Sequence, residues 1–375
     1  SSEDVTKTAR TYAPDSQIVT QSAQLGTAHA VAQSRGILSG FEGDLIILYG
    51  DTPFIRSETL GKLAQARQKT DLVVLGFHAN DPGRYGRLVT SGTDLLEIVE
   101  YKEANAAQKD IKLCNSGVLA GPAQLIFQLI EQVETSNNAG ELYLTDCIAL
   151  ARAAGKSAGV VTCPEAETLG VNSRRDLAQA EQVFQNNARA ALMDTGVSLL
   201  APETVFLSFD TVIGRDALIE QNVVFGAGVT VETGAKIRAF RHLEGCHVSR
   251  EAVIGPYARL RPGAEVANAA KIGNFVEIKN AQIGEGAKVN HLSYIGDADI
   301  GSDSNIGAGT ITCNYDGVMK HHTQIGQNVF IGSNTMLVAP VDIGDGAMTA
   351  SGAVITKNVP EDALALARAE QINKP

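Results

Sequence analysis

From Ile213 onward, one kind of residue returns at every sixth place. Ile213, Ile219, Phe225, Val231, Ile237 and Leu243 open the series, and Val248, Ile254, Leu260, Val266, Ile272 and Ile278 continue it. With occasional five-residue steps it runs on through Ile283, Val289, Ile295, Ile300 and Ile306, then resumes after a gap at Ile325, Ile331, Leu337, Ile343, Thr349 and Ile355. A period of six fits neither a helix nor a lone strand. Self-similarity at a short fixed period marks a β-solenoid. Three hexads make one triangular coil of roughly 18 residues, and successive coils stack as parallel strands do, about 4.8 Å apart. The recurring aliphatic points inward, while Gly214, Gly226, Gly255, Gly273, Gly284, Gly296 and Gly307 relieve crowding at the turns. The pattern therefore predicts a left-handed parallel β-helix of hexapeptide repeats, an exception to the usual crossover hand. Between Thr312 and Ile325 the step is 13 residues in place of 6, so this segment must loop out of the coil, where function tends to sit. The Ala/Leu-rich stretch Glu361 to Ala369 reads as a terminal element that folds back.

Upstream, strand-like and helix-like segments alternate. Asp44 to Tyr49 and Leu72 to Leu75 are short apolar runs of buried strands, and Leu95 to Tyr101 alternates. A helix follows Ser57, its expected N-cap, and Ala123 to Val133 and Leu142 to Ala154 also read as helices. This alternation predicts a three-layer α/β domain with a mainly parallel sheet, Asp51 lying at a strand's carboxyl end where such sheets bind ligands. Asn172 to Gly196 reads as a connecting helix with Leu177, Ala180, Phe184, Ala188 and Leu192 on one face and Gly196 as its stop. The expected divisions are residues 1–172, 173–196 and 197–375.

The net charge of −11 excludes nucleic acid as a general partner, so any phosphate must be held by a few placed cations and backbone amides. No apolar run is long enough to span a bilayer and no signal-peptide pattern precedes Ser1, so the expectation is a cytoplasmic protein with no membrane partner. The five cysteines are scattered and never form C-x-x-C, which favours reduced thiols over disulfides or zinc. His321 and His322 are adjacent, and neighbouring side chains diverge too far to share one metal.

Four blocks carry chemistry: Arg259-Leu-Arg-Pro-Gly263, Gly273-Asn-Phe-Val-Glu-Ile-Lys279, His291-Leu-Ser-Tyr-Ile-Gly-Asp297 and Asn305 to Gly317. These blocks resemble the signature of glucosamine-1-phosphate N-acetyltransferases, the hexapeptide half of a bifunctional bacterial enzyme family. The resemblance implies acetyl transfer from acetyl-CoA to the amino group of glucosamine-1-phosphate. An amine attacks a thioester only when unprotonated, so such a site needs a base, and His291 in the matching motif is the candidate. The resemblance assigns the sugar phosphate to Arg261, Lys279 and Lys320, and the sugar or reacting acetyl group to Tyr294, Asn305 and Asn314. Acetyl-CoA falls to Asn314, Tyr315, Ser333, Ser351 and Arg368, with Ser333 near the thioester as oxyanion donor and Ser351 acting through its main chain. A groove needing two walls implies a homotrimer with shared sites.

The first half resembles the family's N-acetylglucosamine-1-phosphate uridylyltransferase, which transfers uridylyl from UTP to give UDP-N-acetylglucosamine and pyrophosphate. The matching pieces are Gln21-Ser-Ala-Gln-Leu-Gly-Thr27, Leu48-Tyr-Gly-Asp51, Tyr85-Gly-Arg87, Ile98-Val-Glu100, Asn115-Ser-Gly117 and Gly170-Val-Asn172. By resemblance Gln21, Gly26 and Thr27 hold the base, Tyr49 belongs to the nucleotide-sugar site, and Gly86, Glu100 and Asn115 hold the sugar. Asp51 and Asn172 supply oxygen ligands suited to Mg2+. The Rossmann-like α/β domain is N-terminally incomplete against the family pattern, lacking the Gly-rich L-x-x-G-x-G-T-x-M loop. The expectation is therefore an intact acetyltransferase and absent or low uridylyl transfer. The alternative is another nucleotidyl-sugar transferase whose β-helix serves only for oligomerisation.

Overall fold

The computed structural model describes residues 2–135 and 140–374, which form two compact units, Ser1–Ala180 and Glu181–Pro375. The first contains β1 (Asp44–Ile47), β2 (Leu72–His78), β3 (Arg87–Ser91), β4 (Asp94–Val99), β5 (Leu113–Pro122) and β6 (Ala158–Cys163), in the order β1-β5-β2-β6-β4-β3. The apolar run of β2 is buried from Leu72 to Phe77 because helices cover both of its faces. Leu72 and Val74 pack with Ile126 and Ile148 of the helices Ala123–Ile130 and Asp146–Ala153. Val73, Leu75 and Phe77 pack with Leu63 of the helix Ser57–Arg67. The three layers are as expected; the strand directions are not. Among the described residues of this unit only β2 and β6 pair in parallel, and its other pairings are antiparallel. β3 and β4 form a hairpin turning at Gly92, whose φ is 62°, and the ten-residue β5 reaches β1, β2 and β3. An apolar run encodes burial but not direction.

Three local readings are corrected. Ser57 is the first helical residue; Arg56 holds the cap position and makes no side-chain cap bond. The helix expected from Leu142 starts at Asp146, because Leu142 is extended and bonded to Leu25 O and Ala28 N at 2.8 and 2.9 Å. The helix expected to reach Val133 ends at Ile130 and gives way to a turn.

The second unit is a parallel β-solenoid. One face is a ladder of ten short strands among the described residues, with Leu218, Lys236, Val253, Lys271, Lys288 and Asn305 in line on successive rungs. Every member of the six-residue series is buried, from Ile213 at 7% exposure to Ile355 at 3%. Such a column removes almost all its apolar side-chain area from water, at roughly 25 cal/mol per Å². From Asn305 the next rung partner is Phe330, a step of 25 residues where Leu218 to Lys236 takes 18, and the excess forms the loop expected after Thr312. The C-terminal stretch does not fold back; Leu364–Ala365 pairs in parallel with Met348–Thr349 and adds a rung.

Of the seven turn glycines read from the sequence, six keep ordinary φ values, and what requires them is the neighbouring rung. A Cβ on Gly273 would stand 1.8 Å from the carbonyl oxygen of Asn290. Gly255 is the exception with φ 98°, and its Cβ would overlap the buried guanidinium of Arg241.

The connecting helix spans Arg174–Asp194 and stops before Gly196, φ 94°. Its inner face differs from the apolar one expected: Leu177 is 56% exposed, while Gln185 and Arg189 are buried. Gln185 Nε2 donates to Leu207 O at 2.7 Å, Leu207 N donates to Gln185 Oε1 at 2.9 Å, and Arg189 Nε donates to Val205 O at 2.9 Å. These side chains satisfy backbone groups of the first coil, which would otherwise form an open edge.

Candidate active sites

One solenoid face collects most of the acetyltransferase candidates. Arg259, Glu277, Tyr294 and Ile311 stack on it in register. The strands Glu277–Ile283 and Tyr294–Ile300 are long because each runs on through a corner, at Asn280 (φ 45°) and Asp297 (φ 49°). Asn280, Asp297 and Asn314 thereby line one edge of the face. Asn280 Nδ2 donates to Asp297 Oδ1 at 2.6 Å, and Asn314 Nδ2 donates to Asp297 Oδ2. Arg261 and Lys279 lie on adjacent rungs just inside this edge, and Arg261 Nη1 meets Glu277 Oε1 at 2.8 Å. Tyr294 lays its ring over Gly296: a Cβ there would be 2.5 Å from the phenol oxygen and 2.9 Å from Asn314 Nδ2.

The looped segment closes on the same edge. Tyr315 bridges to Lys320 in antiparallel fashion, and Asp316 organises the tip by accepting from Val318 N, Met319 N and His321 Nε2 at 2.8, 2.7 and 2.7 Å. The hydrogen bond from His321, with those two amides, holds the Asp316 carboxyl well below its usual range. Lys320 comes against Lys279, and hydrogen bonding to that amine together with its charge pulls the Lys320 pKa down. Two cations in contact, with Asp297 as the carboxylate nearby, carry a net positive charge that suits a phosphate. Burial pushes Asp297 up, but the two amide hydrogen bonds and the nearby lysines outweigh it, so its carboxyl stays below the ordinary value.

His291 stands at the opposite corner of this face, exposed, with Nδ1 2.6 Å from Asn274 Oδ1. A carboxamide oxygen only accepts, so Nδ1 carries a proton, and in the neutral ring that leaves Nε2 as the nitrogen with the free lone pair. From His291 a single column runs up the corner. Gly309 N donates to His291 O, Asn334 N to Ala308 O, Gly352 N to Ser333 O, and the Arg368 guanidinium to Ser351 O at 2.9 Å. The coenzyme candidates Ser333, Ser351 and Arg368 are thus aligned with His291 over several rungs. Ser333 is two rungs away, about 10 Å at the usual strand spacing, which suits a pantetheine arm better than the acyl oxygen. Asn305 pairs with Lys288 and Phe330 on the neighbouring face, three residues before Ala308 in that column. His321 and His322 turn to different carboxylates, Asp316 and Asp299, at 2.7 and 3.2 Å.

In the α/β unit Asp51 and Asn172 meet as anticipated. Val171 N donates to Asp51 O at 2.8 Å, and both residues line a cleft of about 500 Å³ together with Tyr49, Tyr85 and Asn115. Asp176 accepts from Asn172 N and Ser173 N at 3.1 and 2.9 Å and so fixes the Asn172 turn. Asn115 N donates to Gly86 O at 2.9 Å, and a Cβ on Gly86 would be 3.5 Å from the Glu100 carboxylate. Burial raises the Glu100 pKa against a hydrogen bond from Thr145. Burial likewise raises Tyr49, whose ring fills the space where Gly117, φ 90°, would carry a side chain. Gly26 abuts the Leu142 backbone, Thr27 Oγ1 accepts from Leu144 N at 3.0 Å, and Gln21 is held between Gly26 O and His29 at 3.2 and 2.9 Å.

Sequence reasoning missed Asn274, Glu277, Asn280 and Asp297 as members of the first site. Only the register exposes them: Asn274 is the rung partner of His291. It also missed the role of Arg87, whose buried guanidinium donates to the carbonyls of Pro82, Gly83, Tyr85 and Lys109 and staples the loop carrying Gly86.

Residues 322–357 match the family described as bacterial transferase hexapeptide (six repeats). The chain is 63% identical over 363 residues, 97% of its length and 81% of the relative's, to the bifunctional protein GlmU of Ruegeria sp. (strain TM1040). It is 58% identical over 373 residues, covering 100% of the chain and 82% of the relative, to the bifunctional protein GlmU of Jannaschia sp. (strain CCS1). Among solved structures, a UDP-N-acetylglucosamine acyltransferase aligns over 45% of the chain and 71% of its own, at 20% identity and a TM-score of 0.41.

Proposed function

The chain belongs to the family of bifunctional GlmU proteins, and from that premise we propose how its two sites divide the work. It is a transferase: the solenoid moves acetyl from acetyl-CoA to the amino group of glucosamine-1-phosphate, and the α/β unit moves uridylyl from UTP to N-acetylglucosamine-1-phosphate. The expectation of weak uridylyl transfer rested only on where the sequence begins and carries no weight beside a relationship spanning 97% of the chain. A β-helix used only for oligomerisation is not favoured, given its stacked cations and imidazole.

For acetyl transfer, the sugar phosphate docks between Lys279, Lys320 and Arg261, with Tyr294, Asn305 and Asn314 on the sugar. His291 Nε2 takes a proton from the amine as its nitrogen bonds the acetyl carbon. The carbon–sulfur bond then breaks, and the proton passes to the departing coenzyme thiolate. Asn274 holds the ring through Nδ1, which stabilises the imidazolium as it forms. The coenzyme arm follows the Ser333–Ser351–Arg368 column, while Tyr315 stands with the loop on the opposite edge of the face. The observation that carries this reading is the alignment of His291 with that column.

In the α/β cleft the donor set of Asp51 and Asn172 is all oxygen and leaves room for water and phosphate, which suits Mg2+. When bound, the ion neutralises phosphate charge. Gln21, Gly26 and Thr27 hold the uracil, and Gly86, Glu100 and Asn115 orient the sugar, on the loop that Arg87 secures.

We place the protein in the cytoplasm as a homotrimer sharing solenoid sites. Phe240, Tyr257 and Phe275 support this by stacking along one corner at centroid distances of 5.0 and 5.2 Å. They are about half exposed and continue into Leu292 at 62%, an apolar ridge that a second copy would cover. No helix among the described residues is long and apolar enough to cross a membrane. The test is to mix protein, acetyl-CoA and glucosamine-1-phosphate and follow free thiol. Release that needs the amino sugar is expected; none at all would overturn the reading.

A further inference from the structure

Resting on the acetyl-transfer reading, we propose that Asp297 is a positioning residue for that reaction, fixing the Asn314 carboxamide and setting the charge of the phosphate receptacle. Three features meet at this corner. Asp297 is only 9% exposed, yet it carries a carboxylate in the left-handed backbone region, φ 49°, on a rung where glycine is the easier choice. The residues on the rungs either side are both carboxamides, and both give their Nδ2 to it, Asn280 at 2.6 Å and Asn314 closer still. A carboxylate has only acceptors, so neither amide can turn over. Asn314 is therefore bound to direct its Oδ1 away from Asp297, as the acceptor left for a substrate N–H.

The same carboxylate is the negative charge that Lys279 and Lys320 share. Without substrate it offsets part of the repulsion between the two amines. With substrate it weakens their hold on the phosphate, which helps the product leave. Asp297 thus acts on both ends of the sugar phosphate without touching it.

Asp297→Asn separates this role from a structural one. An amide at 297 can accept from only one of its neighbours, so one carboxamide must flip, and the lysine pair loses its counter-charge. The expected result is a kcat for acetyl transfer lower by about tenfold or more, with inorganic phosphate inhibiting at least about threefold more tightly. A merely structural lesion would slow turnover and weaken phosphate together. As a second variant, Asn280→Ala leaves the charge in place, so it should lower kcat less and leave phosphate inhibition unchanged. Phosphate inhibition unchanged or weaker in Asp297→Asn, or kcat unchanged, would overturn the proposal. Wild-type protein without acetyl transfer would instead overturn the reading beneath it.

Discussion

Asn274 touches neither substrate in this account, yet replacing it should cripple acetyl transfer. Its Oδ1 lies 2.6 Å from His291 Nδ1, and His291 is exposed. Asn274→Ala removes the only side-chain partner of that nitrogen among the described residues. The backbone bond from Leu292 N to Asn274 O at 3.0 Å survives, so the rung itself stays in place. A hydrogen bond to a group becoming charged contributes about 1.5–3 kcal/mol, and the imidazole acquires its charge in the transition state. That corresponds to a loss of roughly 10- to 150-fold in kcat. The Michaelis constant for acetyl-CoA should stay near the wild-type value. The assay is amino-sugar-dependent thiol release at saturating substrates, paired with thermal melting to show an intact solenoid. Asn274→Asp keeps an acceptor in the same place and should recover most of the rate. If Asn274→Ala turns over at the wild-type rate while folded, the imidazole is not oriented through Nδ1.

Two further outcomes follow from packing and burial. Gly273→Ala places a methyl 1.8 Å from the Asn290 carbonyl oxygen, and that oxygen is backbone on the next rung with no rotamer to give. Urea unfolding should show a loss of about 1–3 kcal/mol, and acetyl transfer should fall with it because Asn290 precedes His291. Burial pushes the thiols of Cys147 and Cys246 up to about 12 and that of Cys163 to about 11, against an ordinary 9.0. The unfolded chain therefore loses these protons first, so the stability they supply is complete below pH 9.0 and drains away as pH rises toward 11–12. Melting temperatures should fall over that window, and Cys147→Ala should flatten the fall; a flat profile in the parent protein would contradict the burial.

The solenoid was legible because its signal is redundant: each coil repeats the same demand for an inward aliphatic, from Ile213 to Ile355. The three layers of the α/β unit were legible for a similar reason, since strands and helices alternate along the chain and the unbroken apolar run of β2 serves two helical layers. Strand direction was not, because Leu113–Pro122 reads the same whether it runs with its neighbours or against them. Gln185 and Arg189 break the rule that an amphipathic helix buries its apolar stripe, as they serve the open edge of the first coil. Lys279, Lys320 and His291 could be read from their motifs. Asn274 and Asp297 look in sequence like turn residues. Their roles emerge only when the 17-residue offset puts Asn274 beside His291 and Asn280 beside Asp297.

The most direct measurement is amino-sugar-dependent thiol release by His291→Ala. Proton transfer by a positioned base contributes about 10²- to 10⁴-fold, so the rate should drop by that order while the melting temperature holds. A folded variant that releases thiol as fast as its parent would remove the imidazole from the chemistry, and the aligned corner with it.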